Sequence, residues 1–196
     1  MKLYTPTELE KWICQKYREN GIMTPKDMDI EHIGQIFDTY ITFTSSNPKV
    51  MYNDTYGGLI FLYIHDCEED QRLDFFHELC HPAMHVGSQS ELPSSFVELQ
   101  EAQASTFQLY AAMPYYMLAD VMPCHTYYEY YSLLSESFRL PIDFVERRID
   151  QVKRRIIQGY NDRDFTARLS PAAPTHIYSD ETQRILRQLY QQFRLN

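Results

Sequence analysis

The chain has 196 residues, of which 44% are hydrophobic, 14% aromatic and 23% charged, a globular composition sufficient for one sizeable core and a small appended subdomain. A formal charge of −9 argues against a general nucleic-acid binder. No apolar run is long enough for a transmembrane helix, residues 1–12 have no secretory h-region, and Cys14, Cys67, Cys80 and Cys124 form no CxxC pair, so the expected setting is a reducing cytoplasm.

Residues 7–20 read as a helix. Thr7 can cap it, Glu8 and Glu10 suit its first turn, Leu9, Trp12, Ile13 and Tyr17 share one face, and Asn20-Gly21 stops it. Residues 29–37 read as a shorter helix carrying Ile30, Ile33, Ile36 and Phe37. Residues 40–44 and 49–52 read as strands around the turn Ser45-Ser46-Asn47-Pro48. After a turn region at Gly57-Gly58, residues 59–65 form an apolar run suited to a buried strand. Helical spacing resumes over 71–85, with Leu73, Phe76, Leu79 and Cys80, and over 96–113, with Val97, Ala104, Phe107 and Ala111. Two helices follow at 127–138 and 142–158, joined at Arg139-Leu140-Pro141. Residues 161–178 read as irregular, and Ser179 caps a last helix over 180–195. A short helix, a small sheet and then helices indicate an α+β fold.

The chemistry concentrates in His77-Glu78-Leu79-Cys80-His81, an H-E-x-x-H sequence. Positions i and i+4 of a helix lie one turn apart on one face. Both imidazoles can therefore meet one metal ion at about 2.0–2.1 Å. Glu78 follows the first ligand and can act on a water molecule as general base without occupying the metal. Zinc in such a site would acidify that water and polarise a carbonyl, which points to a zinc-dependent peptidase. Phe75, Phe76 and Leu79 give the flanks the apolar character of a buried helix. A catalytic zinc needs a third protein ligand, and Glu98 and Glu101 on the next helix are both candidates. Donors for a tetrahedral oxyanion would come from His125, Tyr110, Tyr127 or Tyr128, among which no spacing rule chooses.

The sequence His77-Glu78-Leu79-Cys80-His81, then Glu101-Ala102-Gln103-Ala104-Ser105-Thr106-Phe107, then Ala111-Ala112-Met113-Pro114 resembles the ImmA/IrrE family of metallopeptidases. That family pairs H-E-L-G-H with E-x-x-A-N-x-F-A and a later Met-Pro. The resemblance covers roughly residues 5–115. It implies a zincin-like core, in which a small N-terminal sheet packs on the H-E-x-x-H helix and the helix downstream, with a C-terminal helical extension. It implies a metal set of His77, His81 and Glu101, because Ala104, Phe107, Met113 and Pro114 fix the register, with Glu78 catalytic and Zn2+ as cofactor. Cys80 stands where the family usually has Gly, and is expected to be a small buried packing residue. Ser105 stands where it usually has Asn. Pro82, directly after the second histidine, lacks the N–H that would bond the Glu78 carbonyl and should kink or end the helix. His85 continues the i+4 series and is expected to be structural or to donate a hydrogen bond to a ligand from behind.

Residues 1–122 are expected to form the peptidase core and 123–196 the extension. Within the extension, residues 133–149 resemble the helix-turn-helix-like segment that follows the core in this family, read here chiefly as a hairpin that completes the core. Residues 1–138 carry 7 Lys/Arg and 20 Asp/Glu, and residues 139–196 carry 11 and 7. Arg147, Arg148, Lys153, Arg154 and Arg155 concentrate that charge on one helix, yet the acidity of the chain argues against direct DNA contact. The resemblance implies a cytoplasmic endopeptidase acting on a helix-turn-helix repressor and relieving repression of a prophage or mobile element. The other reading is a regulator that binds such a repressor without hydrolysing it.

Overall fold

The computed structural model describes residues 3–53, 57–85, 92–120, 126–169 and 179–193. They form two compact units, Met1–Ile157 and Gln158–Asn196. The fold is α+β, mostly helical, with one three-stranded sheet near the N-terminus.

Helix α1 (Glu8–Glu19) starts as the sequence predicts. The Thr7 hydroxyl accepts from the Glu10 N–H, and the Glu10 carboxylate accepts from the Thr7 N–H, a reciprocal capping box. Helix α2 (Ile30–Ile36) is capped by Asp29 and leads through Asp38 into β1 (Thr39–Thr44). Strands β2 (Lys49–Asn53) and β3 (Gly57–Tyr63) complete a sheet of order β1-β3-β2, with β1 parallel and β2 antiparallel to β3. β3 is not buried on both faces as its apolar run suggests. Gly58, Ile60 and Leu62 face inward while Leu59 is exposed, the period-two pattern of a sheet covered on one side.

Helix α3 (Glu68–Met84) lies against the inner face of the sheet. Glu68, Glu69 and Asp70 occupy its first turn, where negative charge complements the helix dipole. Its stripe of Phe75, Phe76, Leu79 and Cys80 is fully buried. Helix α4 (Ser94–Ala112) packs on α3 through Ala104, Phe107 and Ala111, and a 3-10 turn follows at Tyr115–Asp120. Helices α5 (Tyr127–Phe138) and α6 (Ile142–Leu169) meet at Arg139, whose φ of 54° makes the left-handed cap. Leu134, Phe138, Leu140, Phe144, Val145, Ile149 and Val152 enter the same core as α1, α3 and α4.

Two arginines hold this core from inside. Arg148 is fully buried, pairs with Glu10 at 3.0 Å and donates to the Met113 carbonyl at 3.0 Å, joining α1, α6 and the end of α4. Tyr4 donates its hydroxyl proton to the same Glu10 carboxylate. Arg72 on α3 donates to the carbonyls of Met28 and Phe138 at 3.0 and 3.2 Å.

In the second unit, residues 161–169, expected to be irregular, are helical. α6 continues through residue 161 to Leu169, supported at its exposed end by Arg168–Asp164 at 2.7 Å and Gln158–Asp162 at 2.6 Å. Residues 170–178 lie outside the described residues, and α7 spans Asp180–Phe193. No described helix is long and apolar enough to cross a membrane.

Candidate metal centre

α3 presents His77 and His81 one turn apart, and α4 places Glu101 opposite them. Nε2 of His77 lies 3.0 Å from one oxygen of the Glu101 carboxylate, and Nε2 of His81 lies 3.7 Å from the other. One donor atom from each residue can be chosen so that all three lie within 4.8 Å of one another. A tetrahedral site with bonds of about 2.0–2.1 Å sets its donors about 3.3–3.4 Å apart, and each of the two separations, though to a different Glu101 oxygen, lies within about 0.4 Å of that spacing. Two neutral nitrogens and one carboxylate are also a donor set that suits zinc. The three residues therefore fit a metal ion.

Burial is graded across the group. The His81 side chain is 4% exposed, that of His77 25% and that of Glu101 44%. The group thus has a closed side, at His81, and an open side from which a substrate could approach. Burial pushes His81 down from 6.5 to about 4, against the raising effect of Glu101, and it also lowers His85. Burial thus favours the neutral form of both rings, the form in which an imidazole binds a metal.

Glu78 is half-buried beside them. Burial raises its carboxyl from 4.5 to about 7; His77 opposes the rise, while Glu101 and Asp74 add to it. Glu98, the alternative third ligand, is exposed on α4 and is not part of the His77–His81–Glu101 group. Cys80 is fully buried, and desolvation pushes its thiol up to about 12, the state of a packing residue.

Of the two outcomes expected at Pro82, a kink or an end, the helix does not end there. α3 runs through it to Met84, and the His85 N–H still reaches the His81 carbonyl at 2.9 Å. The proline falls in the last turn, where it removes one intrahelical bond and little follows for its absence to disrupt. Its ring is seated on β3. A Cβ added to Gly58 would stand 3.0 Å from Pro82 Cβ and 3.1 Å from its Cγ, so only glycine lets strand and helix approach this closely.

Behind His81 lies a contact that the sequence did not reveal in full. Nδ1 of His81 is 3.1 Å from Nδ1 of His85, and Nε2 of His85 is 3.0 Å from Oε1 of Gln103 on α4. His85 was expected behind a ligand. Gln103 was not, although its position two residues after Glu101 in the second motif was the available signal.

Of the four oxyanion candidates, Tyr110 is buried with its ring under the Arg148 guanidinium and its hydroxyl 3.5 Å from Gln151. Tyr127 and Tyr128 are exposed in the first turn of α5. His125 lies outside the described residues.

A curated relative, the phage-like element PBSX protein XkdA of Bacillus subtilis (strain 168), is 29% identical over 150 residues, covering 76% of this chain and 75% of its own length. The uncharacterized protein YqaB of the same strain is 24% identical over 170 residues, covering 86% of this chain and 97% of its own. No solved structure matches. Residues 35–150 match the peptidase family described as IrrE N-terminal-like domain, and that match, which spans more than half of the chain and contains both motif helices, shows that the chain belongs to this family.

Proposed function

We propose that the chain is a zinc-dependent endopeptidase whose metal is held by His77, His81 and Glu101 and whose general base is Glu78. The observation that carries this reading is the convergence of two α3 imidazoles and one α4 carboxylate within 4.8 Å. A bound zinc would supply Lewis acidity toward a peptide carbonyl and toward water. Glu78 sits one residue after His77, half-buried, with its proton affinity near neutrality. It can accept a proton from the attacking water and return it to the leaving amine. The burial of His81 keeps one side of the site dry, and the exposure of Glu101 leaves the other open to an extended chain.

The proposed substrate is a helix-turn-helix repressor, cleaved in the cytoplasm to relieve repression of a prophage or mobile element. Family membership and the similarity to a protein named for a phage-like element support it. The competing reading, capture without hydrolysis, is motivated by Pro82 and Cys80, which could distort the motif helix; the continuity of α3 to Met84 and the burial of Cys80 support the enzyme instead. Glu78→Gln tests the proposal. The variant should retain zinc and lose cleavage of the repressor encoded by the same element by about 100-fold or more. Undiminished cleavage would overturn the role of Glu78.

A further inference from the structure

His81 is the buried member of the metal group, and it has polar chemistry behind its ring. Its Nε2 faces Glu101, and its Nδ1 faces His85 at 3.1 Å. A neutral imidazole carries one N–H and one bare nitrogen. A contact between two ring nitrogens therefore needs its proton on one side only, and the row His81–His85–Gln103 has two self-consistent arrangements. In the first, the Gln103 oxygen accepts from the His85 Nε2–H, the bare Nδ1 of His85 accepts from the His81 Nδ1–H, and Nε2 of His81 keeps its lone pair toward the metal group. In the second, the Gln103 amide is reversed and donates to His85. His85 then donates from Nδ1, and the remaining His81 proton sits on Nε2, where a metal would have to bind. Only the first arrangement allows His81 to be a ligand.

We propose that Gln103 and His85 are positioning residues that fix the metal-binding tautomer of His81. The inference rests on the reading of His77, His81 and Glu101 as a metal centre. Gln103 stands with its oxygen 3.0 Å from His85, the orientation of the first arrangement, and His85 is nearly buried between the two. Toward the ligand, His85 is thus an acceptor rather than the donor that its spacing alone suggests. The device spans both motif helices, since His85 ends α3 and Gln103 lies on α4. Gln103 is exposed, so substitution there leaves the core intact.

The test measures zinc affinity by chelator competition, and His81 tautomers by nitrogen-15 NMR of the metal-free protein. Wild type, Gln103→Met, Gln103→Glu and His85→Phe are compared. Gln103→Met and His85→Phe should weaken zinc binding by about 10- to 100-fold, the usual effect of losing a partner behind a ligand. Gln103→Glu, a fixed acceptor, should keep wild-type affinity or better. In the metal-free protein, His81 should be protonated at Nδ1 in the wild type and in Gln103→Glu, and should lose that preference in Gln103→Met. Unchanged zinc affinity in Gln103→Met would overturn the relay, as would a wild-type His81 protonated mainly at Nε2. A wild-type chain that binds no zinc would instead overturn the metal centre itself, and the relay with it.

Discussion

Replacing Glu78 by Gln should change how the stability of the metal-free protein depends on pH. Burial raises the Glu78 carboxyl from 4.5 to about 7 and lowers His81 from 6.5 to about 4. Between pH 4.5 and 7 the folded chain holds the Glu78 proton and the unfolded chain releases it, so this group makes stability fall as pH rises. Between pH 4 and 6.5 the unfolded chain protonates His81 and the folded chain does not, so this group makes stability rise. The two slopes oppose each other across their common window, and their sum in the wild type should be nearly flat from pH 4.5 to 6.5. The interval from 4.5 to about 7 corresponds to at most about 3.4 kcal/mol at 1.36 kcal/mol per pH unit. Glu78 is only half-buried, and solvent screening reduces this to about 1–3 kcal/mol. The Gln variant keeps the shape and loses the titration. Its stability should climb from pH 4 to 6.5 and exceed that of the wild type by about 1–3 kcal/mol above pH 7.5. Urea unfolding in the presence of a chelator, at intervals from pH 4 to 8, measures this. Parallel profiles with a constant offset would refute the argument, because Glu78 would then titrate alike in the folded and unfolded chains.

Two further substitutions address what positions the site. Arg148→Met leaves the Glu10 carboxylate buried without its counter-charge and should destabilise the fold by about 3–5 kcal/mol in urea unfolding; a loss below about 1 kcal/mol would show that the pair is not what joins α1 to α6. Gly58→Ala inserts a Cβ 2.9 Å from Thr39 Oγ1 and 3.0 Å from the Pro82 ring, and should cost about 1–3 kcal/mol. It should also weaken zinc binding, although Gly58 touches no ligand, because it displaces the last turn of α3. Unchanged stability would mean that strand and helix separate freely at Pro82.

Much of this was legible in the sequence because local signals agreed with the fold. Thr7 with Glu10 spells a capping box, and α1 begins there. The alternation in residues 40–44, and the run 49–52 after the turn, marked two strands to within a residue at either end. Histidines at i and i+4, with a carboxylate one helix later, marked a group that the fold then brings together. What escaped depends on tertiary packing. Arg148 lies four residues from both Phe144 and Val152, inside the apolar stripe of α6, but among Arg147, Arg154 and Arg155 it read as one more solvated charge. Pro82 read as a kink or an end of the helix because its local chemistry forbids one hydrogen bond, whereas its seat on Gly58 comes from a strand 24 residues earlier. Gln103 looked like an ordinary helix-surface amide, and its role depends on which way α4 turns toward His85.

The most direct test of the metal centre is zinc content, measured on the purified wild type and on Glu101→Gln and Glu98→Gln after equilibration with limiting zinc. The geometry predicts close to one equivalent in the wild type and in Glu98→Gln, and a large loss in Glu101→Gln. Zinc retained by Glu101→Gln and lost by Glu98→Gln would contradict the ligand set, and with it the proposed chemistry.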